Sequence, residues 1–267
     1  MLEELLIKPG QKARLHDRDP RDTLGLPDKD VTKAALPGLH ERLFKLQARF
    51  RAEAKHGFLV ILQAIDAGGK DGTIRSVFTG VNPQGVRVVS WNVPNDVEQA
   101  HDYLWRIHMQ MPAKGEIVIF NRSHYEDVLV VRVNQLVAEA RWRKRYRHIT
   151  EFERMLTDEG TVIVKIHLHI SKDEQRQRFE ERLADPMKRW KFRRADLETR
   201  EHWDDYMAAY EDALTETSTA WAPWYVVPGD REWVRNTAVA QLLIRTIEDL
   251  KPAFPPGEPG LENLKIP

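Results

Sequence analysis

Short continuous apolar runs alternate along this chain with longer stretches whose apolar positions recur every three or four residues. The runs predict strands buried on both faces: Phe58–Leu62, Arg87–Trp91, Ile117–Phe120, residues 161–168 (TVIVKIHL) and Trp224–Val227. Between them, Leu39, Leu43, Leu46, Phe50 and Ala54 give residues 31–56 one apolar face, capped at Asp30 or Thr32 and stopped by Gly57. Further helices are predicted from Asp71 to about Thr79, from Val97 to Gln110, from Glu198 to Ser218 and from Asp230 to Leu250, with a helix or helical turn over 128–140. Another follows Ser171, with Glu174 at the reciprocal capping position. Five strands separated by helices require mostly parallel pairing with right-handed crossovers, an α/β fold. Residues 1–30, with Pro9, Gly10, Pro20, Gly25 and Pro27, read as an irregular arm on the domain surface. The Pro- and Gly-rich tail from 252 to 267 reads as loosely ordered or wrapped on a neighbour. With no internal repeat and no separating linker, residues 1–267 read as one domain.

Composition narrows the partners. In 267 residues, 42% are hydrophobic, enough for a substantial core, and 41 basic side chains balance 41 acidic ones. That balance argues against a nucleic-acid partner. Without cysteine, disulfides, thiolate metal sites and cysteine nucleophiles are excluded. Early acidic residues and the lack of any long apolar run argue against a signal peptide and against a membrane partner, so a soluble cytoplasmic protein is expected. One basic run, RWRKRYRH at 141–148, interleaves cations with Trp142 and Tyr146. It fits either a surface for polyanions or stacked bases, or, more simply, an exposed helix. In that helix the aromatics pack inward and the charges pair with Glu139, Glu151 and Glu153.

The densest chemistry sits at two strand ends. After Leu62 comes AIDAGGKDGT: a small-residue loop, Lys70, then a helix start, the arrangement that holds phosphate through backbone N–H groups and a mobile cation. Against the pattern G-x-x-x-x-G-K-[ST], Ala64 stands at the first glycine and Asp71 at the Ser/Thr position. Two carboxylates, Asp66 and Asp71, beside an anion site make sense if metal ions lie between carboxylate and phosphate, or if a carboxylate activates an incoming oxygen. After Phe120 follow Asn121, Arg122, Ser123, His124, Tyr125, Glu126 and Asp127. Ligands gather at the carboxyl ends of α/β strands, so both clusters are expected in one site. The basic segment 185–196, DPMKRWKFRRAD, has the character of a cover over an anionic substrate, its plainer alternative being a solvated connector.

Four motifs in order, AIDAGGKDGT at 64–73, HDYLWR at 101–106, FNRSHYEDV at 120–128 and DPMKRWKF at 185–192, resemble the polyphosphate kinase 2 family over about residues 35–250. The resemblance implies a phosphate-loop kinase-like three-layer sandwich with a five-stranded mainly parallel sheet, a helical N-terminal extension and a lid over 171–196. It implies phosphoryl transfer from inorganic polyphosphate to AMP or ADP, giving ADP and ATP, with Mg²⁺ (Mn²⁺ as an alternative), in a homodimer or homotetramer. Asn121, where the family often has Asp, looks like the subgroup acting on both AMP and ADP. By resemblance, Lys70 and the loop residues Gly68, Gly69, Asp71, Gly72 and Thr73 hold the moving phosphoryl group. Asp66 binds metal or orients the attacking oxygen, and Arg122 clamps phosphates beside Asn121. Glu126 stands near the acceptor with Asp127 as support, and Arg106 contacts acceptor phosphate. Arg178 and Arg182, one helical turn apart, neutralise charge, while Lys188 and Lys191 guide the polyanion. Two other readings compete: an ATP-dependent nucleotide or small-molecule kinase, disfavoured by Asp71 after Lys70, and a non-enzymatic polyanion or nucleic-acid binder, disfavoured by Asp66 and Glu126.

Overall fold

The computed structural model describes residues 1–261, 264 and 266; residues 262, 263, 265 and 267 of the expected tail lie outside the described residues. Six strands form one sheet: β1 Leu6–Ile7, β2 Gly57–Gln63, β3 Val86–Ser90, β4 Ile117–Asn121, β5 Thr161–His169 and β6 Trp224–Pro228, in the order β1-β6-β5-β2-β4-β3. Strands β2 to β6 are parallel, and β1 pairs antiparallel with β6. The expectation of five strands is thereby corrected to six. The added strand lies inside the arm read as irregular, and two residues carry no period to detect.

The long apolar run of β2 follows from being covered twice. Phe58, Val60 and Leu62 pack on one face with Leu43, Leu46 and Phe50 of helix α1 (Lys29–Glu53), Val77 of α2 (Lys70–Val77) and Leu242 of α6 (Glu232–Asp249). The opposite face takes Leu59 and Ile61, against Tyr146 and Ile149 of α3 (Glu139–Asp158) and Tyr210 of α5 (Trp203–Thr217). With a period of two, a strand sandwiched by helices is apolar at every position. Each such side chain is worth about 1.5–3 kcal/mol on burial.

Two expected helices are interrupted. Residues 97–110 form Asp96–Gln99 and Trp105–His108, because Asp102 Oδ1 accepts the Leu104 N–H at 2.9 Å and offers the backbone an alternative to helix. Residues 198–218 divide into Ala195–Glu201, which buries nothing, and α5, which buries Trp203, Tyr206 and Tyr210. Helix α4 (Lys172–Ala184) is capped by Ser171 Oγ, which accepts from Glu174 N, but the Ser171 N–H goes to Asp230 and the Glu174 carboxylate goes to Arg178. In the basic run 141–148, Trp142 and Tyr146 are buried, and Arg143 and Arg147 pair with Glu139 and Glu151. Among the described residues no helix is long and apolar enough to cross a membrane.

The strand order positions the site. After β2 the chain crosses to β3 at the edge, returns to β4 beside β2, then passes to β5 on the other side of β2. The order reverses at β2, and the crevice at its carboxyl end is where an open parallel sheet binds ligands.

Candidate functional site

Register brings the two motif clusters together. Leu62 stands opposite Asn121 in the β2–β4 ladder, so the loop after β2 and the turn after β4 leave the sheet side by side. The loop bends through Ala67 (φ +61°) and Gly69 (φ +95°) into the N-terminus of α2. A Cβ on Gly68 would stand 2.4 Å from Ala64 Cβ and 2.8 Å from the Ile65 carbonyl oxygen, so no side chain fits there. Lys70 crosses back over the loop and donates to the Ala64 carbonyl at 2.7 Å.

Arg122 takes the left-handed backbone conformation (φ +66°), and its N–H reaches the Leu62 carbonyl at 3.1 Å. Such a conformation costs a non-glycine residue energy and is common where function demands it. It turns the guanidinium back over the loop: Nη2 donates to Asp66 Oδ1, and Nη1 lies 3.5 Å from Glu126 Oε2. Asn121 Nδ2 donates to Asp71 Oδ1 at 2.8 Å, a second tie between the clusters. From α4, Gln175 donates to the Asp66 carbonyl. Arg178 donates to the Ala67 carbonyl at 2.9 Å and to the Gly229 carbonyl at 2.7 Å. Lys191 Nζ lies 3.9 Å from Asp71 Oδ2.

The charges perturb one another. Burial, reinforced by the Arg122 charge and opposed by Asp66, lowers Lys70 to about 8. For Arg122 burial works downward, but Glu126 and Asp66 outweigh it and raise the group above its ordinary value. Burial pushes Glu126 up, against the pull of Arg122 and Lys70. The result is a nest of N–H groups with two cations, lined by two carboxylates, which can bind and orient phosphate oxygens.

The structure thus gathers Asp66, Gly68, Gly69, Lys70, Asp71, Gly72, Thr73, Asn121, Arg122, Glu126, Arg178 and Lys191 around one crevice. Thr73 turns inward, its hydroxyl donating to the Gly69 carbonyl. Other expected residues are engaged elsewhere. Arg106 is buried, 5.0 Å from the Trp91 ring centroid, donating to Asn92 O and Glu98 Oε2, on the wall of a cavity of about 480 Å³ beside β3. Asp127 accepts from Arg145 at 2.8 Å, a supporting contact. Arg182 lies over the Phe179 ring, and Lys188 pairs with Asp185. The sequence reading missed Gln175, Arg235 and the buried Lys165–Glu153 pair. A lysine within the apolar run TVIVKIHL was the available signal for the last, since a charge inside a strand covered on both faces needs a partner.

Among the described residues no group of three or more His, Asp or Glu side chains forms a metal cage. Mg²⁺ commonly binds through one or two carboxylates and substrate phosphates, and Asp66 beside the phosphate loop fits that donor set.

Residues 27–255 match the sequence model of the polyphosphate kinase 2 family. The chain is 56% identical over 266 residues to the AMP/ADP-polyphosphate phosphotransferase of Meiothermus ruber, covering 99% of this chain and 100% of that protein. It is 47% identical over 232 residues to the ADP-polyphosphate phosphotransferase of Rhodopseudomonas palustris, covering 82% and 80%. The crystal structure of polyphosphate kinase 2 from Arthrobacter aurescens superimposes with a TM-score of 0.94 at 42% identity, covering 98% of this chain and 93% of that one.

Proposed function

The chain belongs to the polyphosphate kinase 2 family, and from that premise we propose that it moves the terminal phosphoryl group of inorganic polyphosphate to AMP and ADP, giving ADP and ATP. An acceptor phosphate oxygen forms the new P–O bond as the bridging P–O bond to the donor chain breaks, and the shortened polyphosphate leaves with the electron pair. The observation that carries this reading is the pairing of Arg122 with Asp66 and Glu126 directly over the loop bearing Lys70. The acceptor phosphate is already ionised near neutral pH, so positioning and charge neutralisation are the tasks left to the protein. Lys70 and the loop N–H groups hold the donor's terminal phosphate. Arg122, whose fork matches phosphate oxygens, bridges donor and acceptor. Asp66 would hold Mg²⁺ or Mn²⁺, which would neutralise phosphate charge there, and Arg178 and Lys191 close over the donor from the 171–196 lid.

The reading extends to a cytoplasmic enzyme, consistent with the absence of cysteine, and to a homodimer or homotetramer. Val88, exposed on the edge strand β3, is consistent with a further subunit contact, and sedimentation velocity measures it. The direct test incubates purified protein with polyphosphate, Mg²⁺ and either AMP or ADP, following ADP and ATP. Product in both reactions is expected. Activity only with ATP as donor to another acceptor overturns the reading.

The lowered Lys70 sets a pH dependence. The ammonium form binds phosphate, so kcat/KM for polyphosphate is expected to fall about tenfold per pH unit above about 8. The stability sign is opposite. Between about 8 and the ordinary 10.5 the unfolded chain holds more protons, so the penalty of burying this charge shrinks as pH rises. Loss of activity without unfolding across that window, followed by parallel assay and circular dichroism, checks both.

A further inference from the structure

One buried cation is left unassigned by this chemistry. Arg235, on the first turn of α6, is 1% exposed, and its guanidinium lies against the phosphate loop. A Cβ on Gly69 would stand 2.1 Å from Arg235 Nη1 and 3.3 Å from Arg178 Nη1, and one on Gly72 would stand 3.4 Å from Arg235 Nη2. Two guanidinium groups therefore converge on the residue that precedes Lys70, a glycine whose left-handed backbone (φ +95°) and close neighbours both disfavour a side chain.

The partners of Arg235 do not balance its charge. Nε donates to Asn236 Oδ1 at 3.2 Å, Nη2 lies 3.4 Å from Glu232 Oε1 on a side chain that is 72% exposed, and Nη1 has no hydrogen-bond partner. The arginine beside it gives its own donors to Glu174 and to the carbonyls of Ala67 and Gly229. A buried charge is costly unless paired, and a helix N-terminus adds positive potential of its own. Packing alone would be served by an apolar side chain. Burial and the Arg178 charge hold Arg235 down to about 10, so it stays protonated at neutral pH.

We propose that Arg235 is a positioning residue for the donor: a fixed positive charge behind the Gly69–Lys70 corner whose balancing anion is the phosphate that the loop binds. This rests on the reading of the loop as the polyphosphate site.

The test compares the full chain with Arg235→Met and Arg235→Lys, measuring melting temperature with and without tripolyphosphate and Mg²⁺, and steady-state constants at low and high salt. The methionine variant is expected to melt at or above the wild type without anion. It should gain less than the wild type from tripolyphosphate, and show KM for polyphosphate raised about tenfold, the effect of losing one charge contact. KM for ADP should not change, and lysine should restore part of the donor affinity. Because a buried charge is screened little, the ratio of wild type to variant should survive high salt, unlike that for Lys191→Ala, whose half-buried ammonium sits at the crevice rim beside Asp71. A methionine variant that fails to fold, or that keeps the wild-type KM and melting shift, overturns the proposal. A wild type that neither gains stability from tripolyphosphate nor transfers from polyphosphate overturns the donor reading itself, and this inference with it.

Discussion

Arg122→Ala is expected to lower kcat by about a thousandfold, the scale of losing a guanidinium clamp on a transferring phosphoryl group. Alanine keeps the Cβ, so the left-handed backbone at this position is no more strained than before. The loss is therefore chemical rather than conformational. If the fork acts in the transition state, kcat and kcat/KM fall together; if it only anchors the acceptor, KM rises while kcat holds. Arg122→Lys keeps one charge but cannot reach Asp66 and Glu126 with a planar fork, and should recover only part of the rate. A second readout is specific to this geometry. Burial already pushes Glu126 up, and Arg122 is the first charge opposing that. Its removal raises Glu126 further, so the acid limb of the pH–rate profile should move to higher pH in Arg122→Ala. A variant with near-wild-type kcat and an unmoved acid limb would remove Arg122 from the chemistry.

Much of this site was legible because parallel strands covered by helices announce themselves as apolar runs, and polar clusters at their ends then mark the crevice. Phe58–Leu62 and Ile117–Phe120 bring Asp66, Lys70, Asn121 and Arg122 to neighbouring strand ends, and the register Leu62 to Asn121 explains why they meet. What stayed hidden depends on partners distant in sequence. Leu6–Ile7 is a strand only because Trp224 and Tyr225 pair with it. The cavity beside β3 was equally hidden: Trp91 and Glu98 hold Arg106 in its wall, a placement that depends on how the β3 end and the broken helix after it fold together. Arg235 sits in a helix otherwise rich in apolar residues, and nothing near it in sequence points to Gly69. The helix expected over 97–110 failed on a single side-chain bond from Asp102, which outcompetes helix locally.

The largest stability effect is expected at the other buried pair. Lys165 on β5 and Glu153 on α3 are both 0% exposed and meet at 2.6 Å. Lys165 also donates to Tyr125 Oη and to the Thr217 carbonyl, and Tyr125 Oη donates to Glu153 Oε1. The network ties the sheet and α3 to the turn His124–Asp127, which carries Glu126 into the site. Removing one partner leaves the other charge buried without compensation, so Glu153→Gln or Lys165→Met is expected to cost about 3–5 kcal/mol in denaturant unfolding. The double replacement Glu153→Leu with Lys165→Met should recover much of that, because most of the single-variant loss is the stranded charge rather than the pair's own worth. Burial alone would raise Glu153, yet Lys165 and His124 hold it below its ordinary 4.5. Its contribution is therefore complete above that value and disappears as pH falls through the lower folded value. If the double variant is as unstable as either single one, the network matters for its hydrogen bonds rather than its charges. In that case Tyr125→Phe, which removes the shared hydroxyl without stranding a charge, should reproduce most of the loss and lower kcat by displacing Glu126.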